Sequence, residues 1–388
     1  MRISSLGLCQ KRLKIAEIVD AVDGGTRVRK HRAEHVLATK TARSEEEPPA
    51  SGSLSVSIIL VTHNGAEIVS DCIDSLAKLG TPPEEIIVVD NASSDRTLDE
   101  VAKWMPNARI LSLEANNGYG AGCNAGAREA RGDIIVFLNQ DVYLSRAFVA
   151  DIQSRMASDP AIGVCGGIVL SWDGTRMISA GQVFDPWTGY ILDYGFGSAH
   201  VDLRRATDDV FSPNGAAFAV RRSTFNEVGG FYEDFFMYFD ETDLSWRIRL
   251  AGFRAVCCPS ATVRHNVDPR RAHRPSSRYY VDRNSLLSAV RNYELSSLAI
   301  FLPASIGARI LGIVVLILLR RSEHAQSTTK ALVDFVLRFP RAWKERGPIA
   351  AMREVSDREL LNVDVRATPV DVLRVFLSSL LPHTSRTS

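Results

Sequence analysis

Three polar clusters stand directly behind apolar runs and could carry chemistry: "THN" at residues 62–64, "DN" at 90–91 and "NQD" at 139–141. A carboxylate such as Asp141, placed where a hydrophobic run ends, can hold a divalent cation together with the phosphate oxygens of a nucleotide. His265 closes the run "FRAVCCPSATVRH". Its imidazole, with an intrinsic pKa of about 6.5, is available in the neutral form and could complete such a site. A second acidic group, Asp240, Glu241 and Asp243, crowds the start of a helical pattern. Capping by Thr242 or Asp243 is expected there, but three acids exceed capping needs, and one could serve as general base toward an acceptor hydroxyl. Each feature also has a plain reading. Aspartates start turns, a histidine at a strand end is often simply hydrogen-bonded, and the glycines of "NNGYGAGCNAG" fit a turn into a helix, their spacing being neither a Walker loop nor GxGxxG.

The elements that must position these groups are those of an α/β unit. "LSVSIILVTHNG", "EEIIVVDNASSD", "ARILSLE" and "RGDIIVFLNQDVYL" read as four strands separated by helical patterns in "AEIVSDCIDSLAKL", "RTLDEVAKWM" and the stretch after "NNGYG". Nearly continuous apolar runs joined by short crossovers predict a largely parallel sheet covered on both faces, with ligands beyond the carboxyl ends of its strands. Further on, a strand is expected around residues 216–220, a short helix near Ser223, an aromatic loop, a helix over 242–250 and a strand ending at His265. Residues 171–209 supply Trp172, Trp187, Tyr190, Tyr194 and Phe196, which suit sugar stacking and equally suit buried loop anchors.

The chain of 388 residues has a formal net charge of +1 and six cysteines without CxxC spacing, which argues against a zinc cluster or a disulfide framework and for a reducing compartment. The first 25 residues lack an apolar run with a cleavage site, so a cytoplasmic location is expected. Residues 1–53 read as a variable, partly flexible extension, 54–268 as the catalytic domain and 269–388 as a helical region. Within the last, residues 297–319 are almost wholly apolar and long enough to cross a bilayer, which needs about 20 residues, although Pro303 and Arg309 weaken that reading. Basic residues follow among Leu, Val, Phe and Trp, so contact with an anionic membrane surface is expected, with a buried hairpin or a dimer contact as the alternative.

Taken in order, "VTHNG", "IIVVDNASSD", "NNGYGAGCNAG", "VFLNQDV", "NGAAFAVRR", "GGFYEDFFMYFDETDLSWRIRLAGF" and "PSATVRH" resemble the inverting glycosyltransferases of family 2, with the nucleotide-diphosphosugar (GT-A) fold. Within that family the chain is most similar to the rhamnosyltransferase-like branch that builds bacterial cell-wall and surface polysaccharides on polyprenyl carriers. The resemblance implies a mixed, mainly parallel sheet with a helical C-terminal region. It places Thr62, His63, Asn64 and Asp90 in the base pocket, and Asn117, Gly118, Asn124 and Asn139 beside the nucleotide. Asp141 and His265 become ligands of Mg²⁺ or Mn²⁺, and Gly215 and Ala216 lie near donor sugar and acceptor, where Trp246 and Arg247 help hold the catalytic helix.

Two departures stand out. Gln140 occupies the centre of the metal motif, where the family has Asn-Pro-Asp or Asp-x-Asp, and the usual Glu-Asp before the catalytic helix is Asp240-Glu241. Glu241 thus takes the position of the base, with Asp240 as the alternative; one extra methylene changes reach rather than acidity. The implied donor is a nucleotide sugar, dTDP-rhamnose ahead of a UDP-sugar, and the implied acceptor a polyprenyl-diphosphate-linked sugar or polysaccharide at the inner face of the cell membrane. A homo-oligomer is compatible with this reading. Among rivals, a nucleotidyltransferase lacks its glycine-rich signature, nucleic-acid binding has only the basic stretch 264–283, and a non-catalytic scaffold remains open because the acid pair is altered.

Overall fold

The computed structural model describes residues 54–198, 209–267 and 274–361. Its centre is built from β1 (Val56–Thr62), β2 (Glu85–Asp90), β3 (Arg109–Ser112) and β4 (Ile134–Asn139), parallel and in the order β3-β2-β1-β4. The five apolar residues of β4 from Ile134 to Leu138 are fully buried. Each contributes about 1.5–3 kcal/mol by leaving water. Their pleat explains how both faces are used: Ile134, Val136 and Leu138 join one core with α1 (Val69–Ala77), α2 (Thr97–Trp104) and α4 (Phe148–Ala157). Ile135 and Phe137 join the other, with α3 (Tyr119–Glu129), α5 (Arg222–Glu227) and α6 (Asp240–Leu250).

Beyond β4 the sheet becomes mixed. β10 (Ala217–Arg221) runs antiparallel between β4 and β6 (Ile162–Ser171), and β11 (Arg254–His265) lies parallel to β6 and antiparallel to β5 (Val142–Leu144). β7 (Met177–Ser179) pairs with β6, while β8 (Gln182–Asp185) and β9 (Tyr190–Asp193) form a separate hairpin. The aromatic stretch 171–198 is therefore partly strand. Trp187 and Phe196 are exposed, whereas the Tyr190 hydroxyl is bound to the Asp282 carboxylate.

C-terminal to these, α7 (Pro275–Asn292), α8 (Leu295–Leu318), α9 (Ser322–Lys344), α10 (Arg346–Met352) and α11 (Asp357–Leu360) pack a third core onto Phe184, Phe211 and Trp246. Residues 1–53 and 362–388, and the expectations that fall on them, lie outside the described residues. The five described cysteines are buried free thiols.

Candidate active site

Sheet register alone brings the first polar cluster together, since Thr62 lies opposite Asp90 and Val61 opposite Asn139. Asp90 is buried; its Oδ1 accepts from the Thr62 hydroxyl at 3.2 Å and the Ser93 hydroxyl at 2.5 Å, and its Oδ2 from the Ser93 amide at 3.1 Å. His63 holds Asn91 O through Nδ1 at 2.9 Å, and Asn64, with φ of 47°, accepts the Ser94 amide on its side-chain oxygen at 2.8 Å. Asn91, whose amide carbonyl takes the Asn117 N–H at 3.3 Å and whose Nδ2 donates to Gly118 O at 2.9 Å, ties the glycine-rich segment to the end of β2.

Gly118 must be glycine for two reasons. Its φ is +95°, and a Cβ there would lie 2.1 Å from Phe236 O. This close approach lets the Tyr119 amide donate to Phe236 O at 2.7 Å, joining the start of α3 to the loop before α6. Asn124 serves the same joint: Nδ2 donates to Phe231 O and Glu233 Oε1 at 2.9 and 3.0 Å, and Oδ1 accepts the Phe231 amide at 2.9 Å. Its amide is thus committed to the loop.

Asp141 and His265 meet because β5 and β11 are paired, with His265 opposite Val142 and the Asn266 amide on Asp141 O at 2.8 Å. His265 Nε2 lies 3.1 Å from Asp141 Oδ1, each side chain about one-seventh exposed. No group of three or more His, Cys, Asp or Glu side chains suited to a metal occurs among the described residues. A carboxylate with an imidazole nevertheless suits Mg²⁺ or Mn²⁺, provided the remaining ligands come from substrate oxygens and water. The donor set therefore fits a cation shared with a diphosphate.

The three acids of α6 have three different surroundings. Glu241 lies against the backbone before β10: a Cβ on Gly215 would be 3.0 Å from its carboxyl carbon. Burial and the Asp193 carboxylate raise the Glu241 pKa from 4.5 to about 7, against the lowering pull of backbone N–H groups. Asp240 is only 2% exposed, packed on Gly120, with Oδ1 lacking a hydrogen-bond partner. Burial, then the charges of Glu241 and Asp243, push its carboxyl well above the usual carboxylate range.

Asp243 corrects the expectation of a cap. α6 has no side-chain cap; it starts from Phe239 with a left-handed φ of 72°. Asp243 instead binds Arg247 Nε, Arg291 Nη1, the Ser288 hydroxyl and Asn292 Nδ2 at 2.7–3.0 Å. Burial alone would raise its carboxyl, but Arg291 and Arg247 hold it down at about 2. Thr242 faces Gln182 Oε1 at 3.5 Å.

Trp246 and Arg247, grouped with Gly215 and Ala216 in the sequence reading, lie inside the protein. Trp246 is fully buried among Phe184, Phe211 and Tyr293, and Arg247 is 2% exposed with Nη1 on Val228 O at 2.6 Å. They hold the helix and leave a sugar nothing to touch. Ala216 is buried, its carbonyl taking the Asn139 amide at 3.0 Å, which sets Gly215 beside the end of β4.

Two groups of site residues escaped the sequence reading. On the β8–β9 hairpin, Asp193 Oδ1 accepts from Asn214 Nδ2 at 3.1 Å and Gln182 Nε2 at 3.4 Å. In α7, Asn284 Nδ2 donates to the carbonyls of Phe235, Met237 and Tyr238 at 2.8–3.2 Å, and Arg283 Nη2 to Phe235 O at 2.8 Å. They restrain Phe236, Tyr238 and Phe239, three non-glycine residues at φ of 64–72° immediately before Asp240. The motif "YYVDRN" was the available signal.

Residues 57–242 match the family model described as Glycosyl transferase family 2. Over this segment the chain is of that family; it has a GT-A-like fold and is related to bacterial rhamnosyltransferase-like enzymes, and its class of activity is sugar transfer from a nucleotide-sugar donor. It is 27% identical over 237 residues to N-acetylglucosaminyl-diphospho-decaprenol L-rhamnosyltransferase of Mycobacterium tuberculosis, covering 54% of this chain and 75% of that one. To the O-antigen chain rhamnosyltransferase RfbN of Salmonella typhimurium it is 26% identical, over 56% of this chain and 68% of the other. Among solved structures it is similar to S. aureus TarS 1-349 in complex with UDP-GlcNAc, at a TM-score of 0.49 and 18% identity, over 77% and 88% of the two chains.

Proposed function

We propose that the protein is an inverting glycosyltransferase that moves a sugar, rhamnose from a dTDP donor in first place, onto a polyprenyl-diphosphate-linked sugar or growing polysaccharide. The observation that carries the reading is the division of labour between adjacent acids. Glu241 is partly open, lies on Gly215 and is poised near neutrality, whereas Asp240 is enclosed and its carboxyl is pushed well above the usual range by burial and its acidic neighbours. A base whose pKa lies near the working pH is well matched to taking a proton from a sugar hydroxyl. Burial first, and then the charge of Asp193, which Asn214 and Gln182 hold in place, keep the Glu241 pKa high.

Thr62 to Asn64, Asp90 and the Asn91-bound turn at Asn117 and Gly118 offer polar groups for a nucleotide base beyond the strand ends. Asp141 and His265 would hold Mg²⁺ or Mn²⁺, which when bound neutralises charge on the departing nucleotide diphosphate. Attack by the deprotonated acceptor hydroxyl opposite the leaving group inverts the anomeric carbon in one displacement, and no covalent sugar intermediate is needed. The lipid-linked acceptor is supported by the relatives' rhamnosyl transfer to a diphospho-decaprenol carrier and an O-antigen chain, and by an apolar helix of 24 residues, α8.

The test is a panel of nucleotide sugars offered with membrane extract, with product mass and anomeric configuration read by mass spectrometry and NMR. Inverted product from dTDP-rhamnose is expected; retained configuration overturns the mechanism, and absence of transfer from every donor favours a scaffold.

A further inference from the structure

Between Leu295 and Leu319 the only ionisable side chain is Arg309, and it points into the protein. Its guanidinium donates to Thr188 O at 2.7 Å, Ser305 O at 2.9 Å and the Ser285 hydroxyl at 2.6 Å, and lies over the Tyr190 ring. Leu298, Ser305, Gly312 and Leu316 are buried on the same side. That face of α8 is thus fixed along its length to α7 and the β8–β9 turn. The opposite face carries Ile300, Ile310, Leu311, Val314, Ile317 and Leu318 at helical spacing, each about half exposed or more.

A groove of about 530 Å³ separates α8 from α9, lined by Ile313, Ile317, Ala325, Thr329, Lys330 and Val333, so the apolar surface continues onto exposed Val336 and Leu337. Lys330 lines the groove, and Arg320 and Lys344 are exposed after the end of α8 and at the end of α9, with Glu323 the exposed acid near Arg320. An apolar stripe of this extent with Lys330, Arg320 and Lys344 as its exposed cations, against the exposed acid Glu323, matches an anionic bilayer, whose acyl chains take the stripe and whose phosphates take the cations.

We propose that this face seats the protein on an anionic lipid surface, with α8 lying in the membrane plane and not crossing it. A spanning α8 would carry into the hydrocarbon the Arg309 guanidinium and the backbone of the β8–β9 turn to which it is bound. The proposal rests on the reading of a lipid-linked acceptor only for its purpose, so its binding test uses neither donor nor acceptor, and donor turnover enters only as a separate control.

The full chain is centrifuged with vesicles of phosphatidylcholine, or of phosphatidylcholine with phosphatidylglycerol, beside the variant Leu311→Glu/Val314→Glu, whose sites are exposed and whose fold is checked by circular dichroism. The expected result is binding to the anionic vesicles, release by alkaline carbonate, and a loss of about tenfold or more in the variant. Absence of vesicle binding, equal binding by the variant, or resistance to carbonate overturns the proposal. So does a dimer, seen by light scattering, that Leu311→Glu/Val314→Glu dissociates in a protein without vesicle affinity. Nucleotide release from the sugar donor, unchanged in the variant, separates failure of the seat from failure of the transferase reading.

Discussion

The side-chain amide of Gln140 brackets the backbone of His63: the His63 amide donates to Gln140 Oε1 at 3.0 Å, and Gln140 Nε2 donates to His63 O at 3.1 Å. Gly65 makes room, since a Cβ there would lie 2.2 Å from Oε1. The residue beside the proposed metal ligand Asp141 thus fixes the loop of the proposed nucleotide pocket. Two neutral hydrogen bonds contribute about 1 kcal/mol each, so Gln140→Ala should raise the donor KM about 10- to 30-fold with little change in kcat. Steady-state kinetics decide, and an unchanged donor KM removes the role.

Glu241 predicts opposite trends for activity and stability with pH. Activity should rise with pH through about 7 as the carboxyl, raised from 4.5, becomes the base. Because the folded state binds this proton more tightly than the unfolded chain, the same group lowers stability as pH climbs from 4.5 to about 7, by up to about 3 kcal/mol. Glu241→Gln should therefore be more stable than the parent at pH 8 and nearly equal to it at pH 4, as read by denaturant unfolding.

Asn284→Ala removes three hydrogen bonds from the left-handed segment before α6. Turnover should fall at least about tenfold while donor affinity changes little, since Glu241 loses its fixed position and the base pocket does not. Equal turnover would show that the segment holds itself.

Asp243→Asn leaves Arg247 and Arg291 without their shared carboxylate and should cost about 3–5 kcal/mol at pH 7. With a folded pKa near 2 against 3.8, the stabilisation of Asp243 is present above about pH 4 and lost as pH falls through 2. Chemical unfolding from pH 7 to 2 should show the two proteins converging.

The half of the fold that follows local periodicity was legible in the sequence. β1 to β4 are apolar runs ending in polar residues, and their register needs only parallel pairing to bring Thr62, Asp90 and Asn139 together. The remaining half depends on distant contacts. Nothing near Asp243 announces Arg291, 48 positions away, so the acid read as a cap. Asp193 looked like an ordinary loop residue because its partner Asn214 is 21 positions distant. Arg309 weakened the apolar helix in one dimension and anchors it in three.

The account rests on Glu241 and not Asp240 as the base, and turnover with donor binding in Glu241→Gln and Asp240→Asn tests this most directly. The prediction is a fall of about 10²–10⁴ in kcat for Glu241→Gln with donor Kd nearly unchanged, and a much smaller fall for Asp240→Asn, whose side chain is buried against Gly120. Parental turnover in Glu241→Gln, or the larger loss in Asp240→Asn, would contradict it.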